Sequence, residues 1–296
     1  MTEIIESFAD IAGNYDAAFV DLWGCLHNGK APFPGAVDAL GSFVEKGGFV
    51  VLLTNSPRPR GSVAVQLDGL SVPRNIWHTI ATSGDGAKAA LGRGEFGTRI
   101  YHLGPDRDAP FFEPDTETPG IEHIQRVPLA DAEAIVCTGP FDDDIDTPED
   151  YDATFLSARN RGLPFLCANP DLVVDHGETR KYCAGALAEA YAARGGAVHF
   201  TGKPHPVIYD LARQRLTQAA GRVIDDSRVI CLGDGVLTDV PGAAGEALDC
   251  LFISGGLAAA ETATGAHPSG QPNPEELDAF LRAHNAAPRF TIGYLR

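Results

Sequence analysis

Short apolar runs, each too brief to be a helix, recur along the chain and alternate with longer stretches of helical character. They lie at Ala17–Val20, Phe49–Thr54, Arg99–Leu103, Ala134–Thr138, Pro164–Ala168, Val229–Leu232 and Cys250–Ile253. That alternation predicts a parallel α/β sheet with helical crossovers. Helical segments are predicted between the runs. Ala36–Lys46 follows Pro34-Gly35 and stops at Gly47-Gly48; alanine-rich Tyr182–Arg194 closes on Gly195-Gly196; Pro206–Gln218 opens on a proline, which the first turn tolerates because its N–H has no helical partner there. Several runs end in small or polar clusters: Asp21–Gly24, Thr54–Ser56 and Gly233-Asp234. Ligands of open α/β sheets bind beyond the carboxyl ends of the strands, so these clusters stand where chemistry is expected.

Composition narrows the function class. At 296 residues the chain can bury one large core or two modest ones. Its formal net charge of −17 argues against a nucleic-acid partner, which needs basic stripes. A small anionic substrate remains compatible, because a few lysines and a metal ion can hold a phosphate inside an acidic protein. No apolar run approaches the roughly 20 residues of a membrane span, and the N-terminal MTEIIESFADIAG lacks the basic segment of a signal peptide. The six scattered cysteines form no CxxC pair and are expected as free thiols in a reducing cytoplasm. The acidic patch Asp142–Asp150 lacks the glycine and spacing of a calcium loop and is expected to be a solvated surface loop.

Three separated clusters carry the chemistry. Phe19-Val20-Asp21-Leu22-Trp23-Gly24 is an apolar strand ending in a carboxylate and a glycine turn. Val51-Leu52-Leu53-Thr54-Asn55 ends in a hydroxyl and an amide. Val229 to Gly233-Asp234 is followed by Thr238-Asp239, and Gly202-Lys203-Pro204 precedes it with a lysine. Taken singly, each is adequately explained as cap or turn chemistry. In that order, at consecutive strand ends, they supply a carboxylate nucleophile, a hydroxyl, a cation and a second carboxylate pair.

On these residues the sequence resembles the haloacid dehalogenase superfamily, and within it the subclass IIA phosphatases with a large α/β cap, such as sugar and p-nitrophenyl phosphatases. Asp21 fits the first motif, Thr54-Asn55 the second, Lys203 in Gly-Lys-Pro-His-Pro the third, and Gly233-Asp234 with Thr238-Asp239 the fourth. The resemblance implies a Rossmann-like parallel-sheet core, residues 1–82 and 195–296, with an inserted α/β cap domain over residues 83–194. It implies an Mg²⁺-dependent phosphatase acting on a small phosphorylated metabolite through an aspartyl-phosphate on Asp21, in the cytoplasm, with a homodimer through the cap as the oligomer it allows and no membrane partner. Metal ligands would be Asp21, the Trp23 carbonyl, Asp234 and Asp239; Thr54 would bind phosphoryl oxygens. Lys203 would place a point charge between Asp21 and the phosphate.

The commonest first motif carries a second aspartate two residues after the nucleophile, as the general acid. Here that place holds Trp23, whose indole N–H cannot protonate a leaving group near neutral pH. Three readings stay open: another group such as His27 or His205 donates; the substrate has a good leaving group; or the chain binds a phosphometabolite with little or no turnover. Other C–X or P–C bond hydrolysis within the superfamily is a further alternative. Substrate contacts are expected from Trp23, Asn55, His27, Asn169 and Asp171, with Val173–Gly177 adding to them, although His27 and Asn169-Pro170-Asp171 are also adequate as plain turns.

Overall fold

The structure, a computed structural model, describes residues 2–115, 118–176 and 179–296, with side chains of residues 175–180 left aside. Met1 of the N-terminal segment and Gly177 of the run from Val173 thus lie outside the described residues. In chain order the elements begin with β1 (Glu3–Ile4), α1 (Ala9–Ala12), β2 (Ala17–Val20), α2 (Pro34–Glu45), β3 (Phe49–Thr54), α3 (Arg60–Gly69), β4 (Thr79–Thr82) and α4 (Ser83–Gly92). Next come β5 (Arg99–Leu103), β6 (Gln125–Arg126), β7 (Ala134–Cys137), α5 (Asp152–Asn160), β8 (Phe165–Cys167), β9 (Val173–His176), β10 (Thr179–Tyr182), α6 (Ala184–Ala193) and β11 (Val198–Phe200). The chain closes with α7 (Pro206–Ala220), β12 (Val229–Gly233), α8 (Asp239–Gly245), β13 (Asp249–Ile253), α9 (Pro274–Ala283) and β14 (Phe290–Ile292). Among the described residues, no helix is long and apolar enough to cross a membrane.

Two compact units result. The first comprises residues 1–54, 64–81 and 209–296; the second, residues 55–63 and 82–208. Each carries its own sheet, and the parallel α/β fold expected from the alternation is what forms. In the first unit the strand order is β1-β14-β13-β12-β2-β3-β4, with parallel pairing from β1 through to β3. β2 is fully buried along its length, as is β12, because helices cover both faces of such a sheet. From β2 the chain adds β3 and β4 on one side, then returns to lay β12, β13 and β14 on the other. The gap between the carboxyl ends of β2 and β12 is therefore a topological switch point, where the crossovers diverge and leave a crevice.

The second unit has the strand order β11-β8-β7-β5-β6, parallel throughout, and an antiparallel hairpin of β9 with β10. One core of this unit packs Phe155, Phe165 and Tyr191 around Leu187 and Leu163. The predicted helix from Tyr182 starts later, at Ala184. Tyr182 is taken by the hairpin, where it pairs with Val173, and Cys183 stays extended as the helix cap. Cross-strand pairing there outweighs the helical preference of the following alanines.

His102 on β5 gives the second unit a pH dependence. Burial first, and the charge of Arg126 second, hold its imidazole down to about 4, while its Nε2 sits 3.0 Å from the Thr138 hydroxyl. Unfolding returns the ring to its ordinary value near 6.5. Between those values the unfolded chain binds the extra proton, so this contribution is complete above pH 6.5 and is lost as pH falls towards 4, by as much as ~3 kcal/mol. His102→Gln, which keeps a polar terminus for Thr138, should flatten the loss of stability between pH 6.5 and 4 in denaturant unfolding measured at each pH.

Candidate active site

In the first unit the site grows from the register of two neighbouring strands. Val20 of β2 stands opposite Leu232 of β12, and the Asp21 N–H continues the ladder to the Leu232 carbonyl at 2.8 Å. Asp21 therefore leaves β2 beside Gly233-Asp234 at the switch point. Asp239 joins them from the start of α8. All three carboxylates are buried, and one oxygen from each lies within 4.8 Å of the others.

Tight turns hold the cluster together. Asp234 Oδ2 accepts the Leu257 N–H at 2.9 Å, and Asp239 Oδ2 accepts the Gly235 N–H at 3.1 Å. Gly24 has a φ of +71°, and a Cβ there would run into the Asp234 carboxylate, as would one on Gly256. A Cβ on Gly233 would meet the Asp239 carboxylate. The glycines are thus the space that the carboxylates occupy. The motif pattern did not reveal Gly256; its only signal was the Gly255-Gly256 pair just beyond β13.

Three buried carboxylates this close to one another form a concentrated set of oxygen donors. A hard divalent cation fits this donor set. Mg²⁺ takes oxygen ligands only and needs one or two carboxylates, its remaining positions being left to water and substrate. The exposed Asp142, Asp143 and Asp144 also come together. There Asp143 is bound to Arg107 and Lys181, and Asp144 to Lys181, so two of the three are held by cationic side chains.

The loop after Asp21 carries Trp23 and His27. Trp23 is half-buried and meets the His27 ring edge to face, centroids 5.1 Å apart. His27 is buried, its Nδ1 accepts the Gly29 N–H at 3.1 Å, and burial holds its pKa near 4. It is therefore neutral at physiological pH. Thr54, also buried, ends β3 in this unit.

The remaining candidates belong to the second unit, where Asn55, Asn169, Asp171 and Lys203 form one hydrogen-bonded group. Asn55 accepts the Lys203 N–H at 2.7 Å and donates to Asp171 Oδ1 at 2.8 Å and to the Lys203 carbonyl at 3.2 Å. Asn169 Oδ1 accepts the Asp171 N–H at 3.1 Å. Lys203 itself is buried. Thr201, which the motifs did not single out, ties the approach to Lys203 to the first residue of the expected cap: it donates to the Ser83 carbonyl at 3.0 Å. His205 stacks flat on Phe200 at 4.8 Å, and burial lowers its pKa too.

Comparison with known proteins agrees with this architecture. Residues 18–114 match the family described as haloacid dehalogenase-like hydrolase, and residues 200–279 the one described as HAD-hydrolase-like. No curated protein matches the chain. Among solved structures, a haloacid dehalogenase-like hydrolase from Brucella suis is 37% identical, with a TM-score of 0.85, over 99% of this chain and 100% of that one. A possible sugar phosphatase from Cytophaga hutchinsonii is 19% identical, with a TM-score of 0.77, over 99% and 98% of the two chains. A 4-nitrophenylphosphatase from Thermotoga maritima is 20% identical, with a TM-score of 0.67, over 96% of each.

Gly24→Ala tests the carboxylate cluster without a substrate. The positive φ and the collision with Asp234 should lower stability by about 1–3 kcal/mol. A cation that binds only the folded cluster raises the melting temperature. Scanning calorimetry should show that rise with added Mg²⁺ in the wild-type protein and a much smaller one in Gly24→Ala.

Proposed function

The chain belongs to the haloacid dehalogenase-like hydrolases, and from that premise we propose that it is a phosphatase for a small phosphorylated metabolite, with Asp21 as nucleophile. The observation that carries this reading is the buried trio Asp21, Asp234 and Asp239 at the switch point, within 4.8 Å of one another. Asp21 attacks the phosphorus atom, the bond to the leaving oxygen breaks, and an acyl phosphate stands on Asp21 until water hydrolyses it to orthophosphate. A divalent cation held by Asp21, Asp234 and Asp239, Mg²⁺ in this proposal, offsets the repulsion between that carboxylate and the phosphoryl oxygens. Thr54 donates its hydroxyl to a phosphoryl oxygen, and Lys203 supplies the fixed positive charge. Substrate selection is assigned to the inserted domain, residues 83–194. The six buried free cysteines support a reducing compartment such as the cytoplasm.

Trp23 shapes the choice of substrate. Burial holds the His27 pKa down near 4 and lowers that of His205, which disfavours either as a replacement for the missing acid, a loss that typically costs about 10²–10⁴-fold in rate. This favours esters whose leaving oxygen departs without a proton.

Phosphate release should be measured over a metabolite panel that includes p-nitrophenyl phosphate. Asp21→Asn should lose at least ~10³-fold in kcat with an unchanged circular dichroism spectrum; activity within tenfold of wild type would rule out the covalent route. EDTA should abolish turnover and Mg²⁺ restore it. A phosphometabolite that raises the melting temperature yet stays intact after hours would instead identify a binding protein.

A further inference from the structure

Asn55 follows the strand-end Thr54, a place that invites a substrate-binding role for its amide, yet both of its donor hydrogens are already taken. Its orientation is determined by its partners. The Lys203 N–H can only donate, so the atom 2.7 Å from it is the amide oxygen. The nitrogen then faces the Asp171 carboxylate at 2.8 Å and the Lys203 carbonyl at 3.2 Å, which can only accept. Three contacts agree on one orientation, and both amide hydrogens are engaged. The side chain is buried.

The chain is built for this contact. A Cβ on Gly202 would lie 2.5 Å from Asn55 Oδ1 and 2.8 Å from the Ser83 hydroxyl, so the backbone reaches the amide only because residue 202 is glycine. Asp171 is itself held: its N–H goes to Asn169 Oδ1, and the Asn169 carbonyl accepts the Cys167 thiol at 3.2 Å. These linked hydrogen bonds favour one rigid arrangement.

We propose that Asn55 and Asp171 are positioning residues for Lys203 rather than ligands of the substrate. Asn55 clamps the Lys203 peptide by its N–H and its carbonyl, and Asp171 locks Asn55 in the rotamer that does so. The clamp sets where the Lys203 ammonium stands. For its kinetic readout the inference rests on the phosphatase reading above.

The two roles differ in kinetics. A misplaced Lys203 weakens an interaction with the transferred phosphoryl group, which all substrates share, so kcat falls by a common factor. A lost substrate ligand raises KM, and by different amounts for different alcohols. Asn55→Asp keeps the acceptor for the Lys203 N–H but turns both donated bonds into repulsions. It should lower kcat by roughly 100-fold on p-nitrophenyl phosphate and on an alkyl phosphate alike. The exchange Asn55→Asp with Asp171→Asn restores a donor–acceptor pair between the two side chains and should recover at least tenfold of that loss. Melting temperatures of the wild type, Asn55→Asp, Asp171→Asn and the double variant give a second cycle that needs no turnover, and the double variant should be more stable than the sum of the single changes. An Asn55→Asp enzyme with kcat within threefold of wild type and a raised KM would overturn the proposal, as would additive melting temperatures. If the wild-type protein releases no phosphate from any ester, the phosphatase reading fails, and the clamp stands or falls on the melting cycle alone.

Discussion

Parallel pairing of β2 with β12 brings Asp21 and Asp234 to one edge of the first sheet, although most of the chain lies between them. The other features of that edge follow from this placement. With Asp239 added from α8, the edge holds three buried carboxylates with an oxygen of each within 4.8 Å of the others. Gly24, Gly233 and Gly256 give up their side chains to the space the carboxylates need. Backbone N–H groups of Gly235 and Leu257 aim the oxygens.

The second unit answers a different physical problem, that of aiming one long, flexible side chain. A lysine on four methylenes has many rotamers, and fixing its backbone is the first step in fixing its head. Asn55 does this with three hydrogen bonds to groups distant in sequence, Lys203 at a separation of 148 residues and Asp171 at 116. Because each bond is buried or partly buried, breaking one strands its partner without water and costs more than the bond itself contributes.

Trp23 marks where the chemistry of this chain departs from the common motif. Its ring packs on His27, which is buried and neutral, so the loop provides apolar packing where the common motif provides a proton.

Much of this was legible in the sequence. The runs at Ala17, Phe49, Arg99, Ala134, Pro164, Val229 and Cys250 all became strands, because a buried parallel strand has to be apolar over its own few residues. Asp21, Thr54 and Asp234 were legible as strand-end polar residues for the same local reason. β4 and β14 were not anticipated: both are short, β4 stands at the edge of the sheet, and β14 pairs on one side with β1 from the other end of the chain. Nor could sequence alone have shown that Asn55 grips Lys203, that Asp171 grips Asn55, or that Gly256 makes room for Asp234. Apolar patterning is a property of neighbouring residues, and it determined which segments became strands and where the polar ends fell. Which ends meet depends on sheet order and register, and those are decided only when the whole chain has packed.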